Sequence, residues 1–188
     1  MDGLIRIRTA QPEDADAIAR VHVDAWRTTY AGIVPEDYLE RLSYERRARM
    51  WREVLGKQGP AGFLWVAEDV KAGVIGFVSG GPLREKVPGC PGYRGEVYAI
   101  YVLEGYHRQG VGSRLMGQAF RWLAERGMGS VLLWVLEENP SCRFYEALGG
   151  VRIAERRIAI GDADLDEVAY GWLDASVVAG LPEEGVAA

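Results

Sequence analysis

Apolar and polar side chains alternate where the chain begins. In "LIRIR", residues 4–8, isoleucine and arginine take turns, and a period of two marks a half-buried β-strand. The period then lengthens. In "TAQPEDADAIARVHVDAW" a cap at Thr9 or Gln11, an early proline and acids in the first turn precede Ile18, Val21 and Ala25 at helical spacing, which predicts a helix over 12–26. "TTYAGIVP" interrupts it. Helical spacing resumes with Leu39 and Leu42, then with Trp51, Val54 and Leu55, so a bent helical pair follows. "FLWVAED" and "GVIGFVSGG", joined by "VKA", predict a hairpin of two strands. After a loop rich in Pro and Gly, "EVYAIYVL" is a dense β-branched and aromatic strand that ends on "GYHRQGVGSRLM". Beyond that turn Leu115, Met116, Ala119, Phe120 and Leu123 share one face of an amphipathic helix, with Arg114, Gln118, Arg121 and Glu125 opposite. "GSVLLWVLEEN" reads as a buried strand, "SCRFYEALGG" as a short helix closed by glycine, and "VRIAERRIAI" with "DEVAYGWL" as a terminal strand pair.

The chain of 188 residues is long enough for one good core and too short for two ordinary domains, which predicts a single α/β domain over 1–174 and a loose tail over 175–188. No stretch approaches the roughly 18 apolar residues of a membrane span, and the first ten residues lack a signal peptide's apolar core, so the expected compartment is the cytoplasm. Cys90 and Cys142 lack CxxC spacing and have only His22 and His107 for company, which argues against a disulfide framework or a zinc site; no metal is expected. A net charge of -5, with acids spread along the chain, argues against nucleic acid as the main partner and is compatible with cationic small molecules.

The candidate chemistry lies in residues 105–116. A strand, a glycine-rich turn and a helix present unpaired backbone N–H groups at the positive end of a helix dipole, a ready site for phosphate. Gly110 and Gly112 let a ligand approach the main chain without meeting a Cβ, and Arg108 can add a charge-assisted contact. The spacing matches neither the P-loop GxxxxGK[ST] nor GxGxxG.

"YVLEGYHRQGVGSRLM" resembles the pyrophosphate-binding segment of the GCN5-related N-acetyltransferases, the GNAT family, whose signature is Gln or Arg, two residues, Gly, one residue, then Gly or Ala. In that register stand His107, Arg108, Gln109, Gly110, Val111 and Gly112. "ENPSCRFYEALGG" resembles the family's second signature, an Asn after a strand followed by Phe-Tyr-Glu and Leu-Gly, and the order of elements is similar across roughly residues 4–173. His107 departs from the family's Gln or Arg, with the expectation that its side chain points outward and only its backbone matters. Gly105 replaces a frequent proline.

The resemblance implies an α+β fold with a mixed, mostly antiparallel sheet of six to seven strands flanked by helices, in which the strand ending at Val102 parts from strand 130–136 to admit acetyl-CoA. It further implies that main-chain groups of Ile100, Tyr101 and Val102 pair with the pantetheine arm, that residues 107–113 through Ser113 hold the pyrophosphate, and that Asn139 and Tyr145 lie near the sulfur. Acetyl transfer to a primary amine of a small molecule or peptide is the implied reaction, with Tyr145 as acid to the thiolate and Glu96 as base to the amine; homodimers are frequent in the family. Under period two Glu96 shares a strand face with Tyr98, Ile100 and Val102. His22, Trp26 and Tyr30 lie at helical spacing and either line the amine pocket, with Trp26 and Tyr30 as candidate substrate contacts, or fill the core. The acids within 162–167 belong either to a solvated turn or to a lid that attracts cationic amines. Two rivals remain at this level: an acyl-CoA-binding sensor without catalysis, and a nucleotide-binding regulator.

Overall fold

The computed structural model describes residues 5–57 and 61–180. Seven strands form one sheet: β1 (Ile5–Thr9), β2 (Phe63–Asp69), β3 (Gly73–Pro82), β4 (Gly95–Val102), β5 (Val131–Leu136), β6 (Val151–Ile160) and β7 (Ala163–Trp172). They lie in the order β1-β2-β3-β4-β5-β7-β6. Every neighbouring pair is antiparallel except β4–β5.

Helices cover both faces. α1 (Ala15–Thr29), α2 (Glu36–Glu40) and α3 (Tyr44–Gly56) lie on one side, with α4 (Val111–Glu125) on the other and the short α5 (Cys142–Ala147) following β5. On the α4 side Leu115, Met116, Phe120 and Leu123 are fully buried against Ile75, Val131 and Leu133. On the other, Ile18, Val21 and Trp51 close over Val66 and Phe77. Two-sided coverage explains why β3 and β5 read as apolar runs rather than alternations. The first helix starts as expected, with Gln11 in a capping box: its backbone N–H donates to Asp14 at 2.7 Å.

The expected loose tail from residue 175 is corrected. Residues Ser176–Ala179 form a further helix, α6, which buries Ala175 and Val178 in the α4 core, so the packed chain extends at least to Gly180. The remaining part of that expectation, 181–188, lies outside the described residues, as does Leu4 of the predicted first strand. Among the described residues no helix is long and apolar enough to cross a membrane.

His22 gives the core a pH dependence. The ring is buried on α1, accepts a hydrogen bond from the Trp51 indole at 3.2 Å and stacks on Tyr101 with centroids 5.0 Å apart. Burial, and then the charge of Arg47, pull its pKa down to about 3. The unfolded chain, titrating near the ordinary value of about 6.5, therefore binds a proton that the folded chain refuses. This contribution is complete above about pH 6.5 and is lost as pH falls toward 3, which amounts to about 2 kcal/mol between pH 7 and 5. Urea unfolding at those two pH values is expected to show that drop, and His22→Gln is expected to shrink it.

Candidate active site

The site begins with an irregularity in β4. Its pairing with β3 steps from Gly80–Val97 to Ser79–Ala99, leaving Tyr98 as an extra residue. Such a bulge inverts the alternation beyond it. Gly95 approaches Leu123 of α4, and Val97, Ile100 and Val102 all pack in the α4 core, whereas Ala99 and Tyr101 belong to the opposite core.

 Ala99 and Tyr101 thus face α1 and α3. The expectation that Glu96 shares a face with Ile100 and Val102 is therefore corrected: Glu96 points to the α1 side with Tyr98, because the extra residue shifts the parity by one.

Just beyond Glu96 the sheet opens. β4 and β5 pair only over Gly95–Val97 and Val131–Leu133, while β5 continues to pair with β7 as far as Leu136. From Tyr98 onward β4 has no partner on its β5 side. A cavity of about 80 Å³ occupies the gap, reached by Tyr30, Ile100, Tyr101, Trp134, Asn139 and Tyr145. A second, of about 490 Å³, adjoins it between the turn after β4 and the start of α5, and Ile100, Val102 and Tyr145 border both.

The turn after β4 faces the larger cavity with His107, Arg108, Gly110, Gly112 and Ser113. Gly110 caps α4 in the left-handed region at φ 75°; the His107 N–H donates to the Glu104 carbonyl at 3.0 Å, and the next amide to bond within the chain is that of Arg114, to the Gly110 carbonyl at 3.0 Å. The backbone N–H groups of residues 108–113 donate to no described protein group. Six consecutive free donors at a helix N-terminus make an anion site. Arg108 is the sole non-glycine at positive φ among the described residues, at 59°. Gln109 is exposed, and its Nε2 donates to the Gly105 carbonyl at 2.9 Å. The His107 side chain is exposed, but the expectation that only its backbone matters is corrected: its Nε2 lies 2.9 Å from the Val102 carbonyl, an acceptor that β5 leaves unpaired once the strands part.

Asn139 and Tyr30 are joined. The Asn139 Oδ1 accepts the Ser141 N–H at 2.8 Å, and its Nδ2 donates to the Tyr30 hydroxyl at 3.2 Å, tying the end of α1 to the turn after β5. Burial pushes the Tyr30 phenol well above its usual pKa, so it stays protonated. Trp26 packs behind Tyr30, ring centroids 4.8 Å apart, and borders neither cavity. Tyr145 is 5% exposed and its hydroxyl bonds to no described side chain. Burial likewise raises its pKa, followed by the neighbouring Tyr101 and Cys142.

Glu96 is 3% exposed and borders neither cavity. Its Oε2 accepts the Arg84 backbone N–H at 3.0 Å, and its Oε1 accepts the Arg84 Nε at 3.1 Å and a terminal guanidinium nitrogen. The Arg84 guanidinium also covers the Tyr98 ring, 4.4 Å from its centroid. Nothing in the spacing of Arg84 and Glu96 along the sequence announces this pair. Two of the four hairpin acids are engaged: Glu167 with Arg156 at 2.7 Å and Asp166 with Arg157 at 3.5 Å. Asp164 and Asp166 join Glu137 and Glu138 around a cavity of about 240 Å³ beside Leu136.

Residues 18–150 match the sequence model of the Acetyltransferase (GNAT) family. YuaI of Bacillus subtilis, named an uncharacterized N-acetyltransferase, is 42% identical over 175 residues, covering 93% of this chain and 96% of YuaI. A spermidine N(1)-acetyltransferase of Thermoplasma acidophilum is 24% identical over 137 residues, 72% of this chain and 80% of that protein. Among solved structures, PaiA N-acetyltransferase from Thermoplasma acidophilum in complex with coenzyme A aligns with a TM-score of 0.64 at 22% identity, over 87% of this chain and 98% of that one.

Proposed function

The chain belongs to the GNAT family of N-acetyltransferases, and on that premise we propose that it transfers acetyl from acetyl-CoA directly to a primary amine within a ternary complex. The observation that carries the reading is the coincidence of six free amides, 108–113, with a strand gap that ends at the Tyr145 phenol. Residues 108–113 would hold the diphosphate, and the unpaired edge of β4 at Ile100–Val102 would hold the pantetheine arm once the His107 ring leaves the Val102 carbonyl. Asn139 acts on the reacting end through Tyr30 rather than by reaching the larger cavity itself.

The chemistry divides among few groups. The acceptor arrives as an ammonium and passes a proton through water to Glu96; the neutral nitrogen attacks the thioester carbonyl, a C–N bond forms, the C–S bond breaks, and the nitrogen gives up its second proton as the amide forms, which replaces the proton that Tyr145 gives to sulfur. Tyr145, kept protonated by burial, donates to the departing sulfur. A cationic acceptor is supported by the acids around the cavity beside β5, where Arg152 pairs with Glu137 at 2.6 Å and Arg157 with Asp166 at 3.5 Å, while Glu138 and Asp164 have no described ion pair. The spermidine activity in the name of one relative is consistent with it. Free thiol release is the test, with acetyl-CoA and a panel of spermidine, amino acids and a peptide N-terminus; thiol release above the amine-free rate is expected with at least one, and none with any would overturn the reading.

Arg108 offers a sharper check. A non-glycine residue in the left-handed region costs about 1 kcal/mol, and a guanidinium facing a diphosphate offsets that cost only when the cofactor is bound. Arg108→Gly is expected to raise the melting temperature by about 2–4 °C while weakening coenzyme A binding about tenfold by calorimetry.

A further inference from the structure

We propose that Arg84 is a positioning residue that selects which oxygen of Glu96 takes the acceptor's proton, an inference that rests on the base role given to Glu96 above. A carboxylate offers about four lone-pair positions. The Arg84 guanidinium fills both on Oε1 and the Arg84 backbone N–H fills one on Oε2, so a single position, on Oε2, remains. The clamp is itself held. Tyr98 supports the far face of the guanidinium and anchors to the Pro82 carbonyl through its hydroxyl at 2.7 Å. That arrangement requires Tyr98 and Glu96 on the same side of β4, immediately before the strands part.

The charged surroundings of Glu96 are few. Arg84 reaches it from the loop between β3 and β4, and Tyr98 from its own strand. The residue paired with it on β5 is the apolar Leu132, and on β3 it is Gly81. Glu167 of β7 acts on Arg84 and is neutralised by Arg156 of β6, which also lies 3.7 Å from Glu85. Removing the guanidinium frees the carboxylate to rotate and leaves it buried without its cation, an uncompensated state. The acceptor must then lose its proton to bulk water before it binds.

The test uses the full chain with acetyl-CoA and spermidine, or the best amine of the panel. Arg84→Gln is expected to lower kcat about 10- to 100-fold with the dissociation constant for coenzyme A changed less than about twofold. Its kcat/KM for the amine should lose the wild-type plateau and keep rising with pH as the unprotonated amine accumulates. Arg84→Lys, which keeps the charge without the fork, should fall between the two. In the double variant with Glu96→Gln the loss should equal that of Glu96→Gln alone, because the two residues act through one proton transfer. A wild-type rate and pH profile in Arg84→Gln, or losses that multiply in the double variant, would overturn the proposal. Turnover by the wild type separates that failure from failure of the acetyltransfer reading, which predicts none of these variants' behaviour unless the wild type releases thiol.

Discussion

Tyr145→Phe is expected to lower kcat by about 10²- to 10³-fold while changing KM for acetyl-CoA by less than about twofold. The two effects separate because the ring and the hydroxyl do different work. The ring packs against Phe144 and Tyr170, at centroid distances of 5.4 and 5.9 Å, and a phenylalanine preserves that packing. The hydroxyl bonds to no described side chain, and the residue borders both cavities, so removing the hydroxyl orphans no partner and leaves the folded protein as stable as before. What disappears is a donor for the leaving thiolate in a place that burial keeps protonated. Steady-state kinetics beside a thermal melt decides. Equal kcat for variant and wild type would remove Tyr145 from the reaction.

Gly80→Val is expected to destabilise the fold by about 3 kcal/mol, a fall in melting temperature of about 6–12 °C, and to abolish most activity. A Cβ at position 80 would stand 2.5 Å from the Glu96 carbonyl oxygen and 2.5 Å from the Phe63 ring. Backbone on one side and a buried ring on the other leave nothing that yields cheaply. Gly80 also marks the step in register from which Tyr98 is excluded, so any accommodation shifts the bulge that aims Glu96. Differential scanning calorimetry reads the first effect and thiol release the second; a melting point within about 2 °C of wild type would contradict the packing argument.

The order of elements was legible because hydrophobic periods are local. Alternation at Ile5 and Ile7 and the helical face of Leu115, Ala119 and Leu123 carry their own structure wherever they sit. The anion-binding turn was legible for the same reason, being a property of one strand end and one helix start. Long-range facts were not. The bulge at Tyr98 depends on the pairing of β3 with β4, and no spacing within β4 announces it. Arg84 meets Glu96 across a loop, and Asn139 meets Tyr30 from 109 residues away. Aromatic residues at helical spacing on α1 serve core or site equally well as sequence; the fold divides them, sending His22 to stack within the core, Trp26 behind Tyr30, and Tyr30 to the gap. The tail was misjudged because Ala175 and Val178 stand in a short run of small residues between acids, without a full helical period of their own, and only their contact with α4 shows that they are buried.

A crystal structure with coenzyme A bound tests the central claim most directly. The account places the diphosphate within hydrogen-bonding distance of the amides of residues 108–113, the pantetheine chain along Ile100–Val102, the His107 ring displaced from the Val102 carbonyl, and the sulfur beside the Tyr145 hydroxyl. A cofactor seated elsewhere on the chain, or β4 and β5 closed along their full length with the sulfur remote from Tyr145, would contradict it.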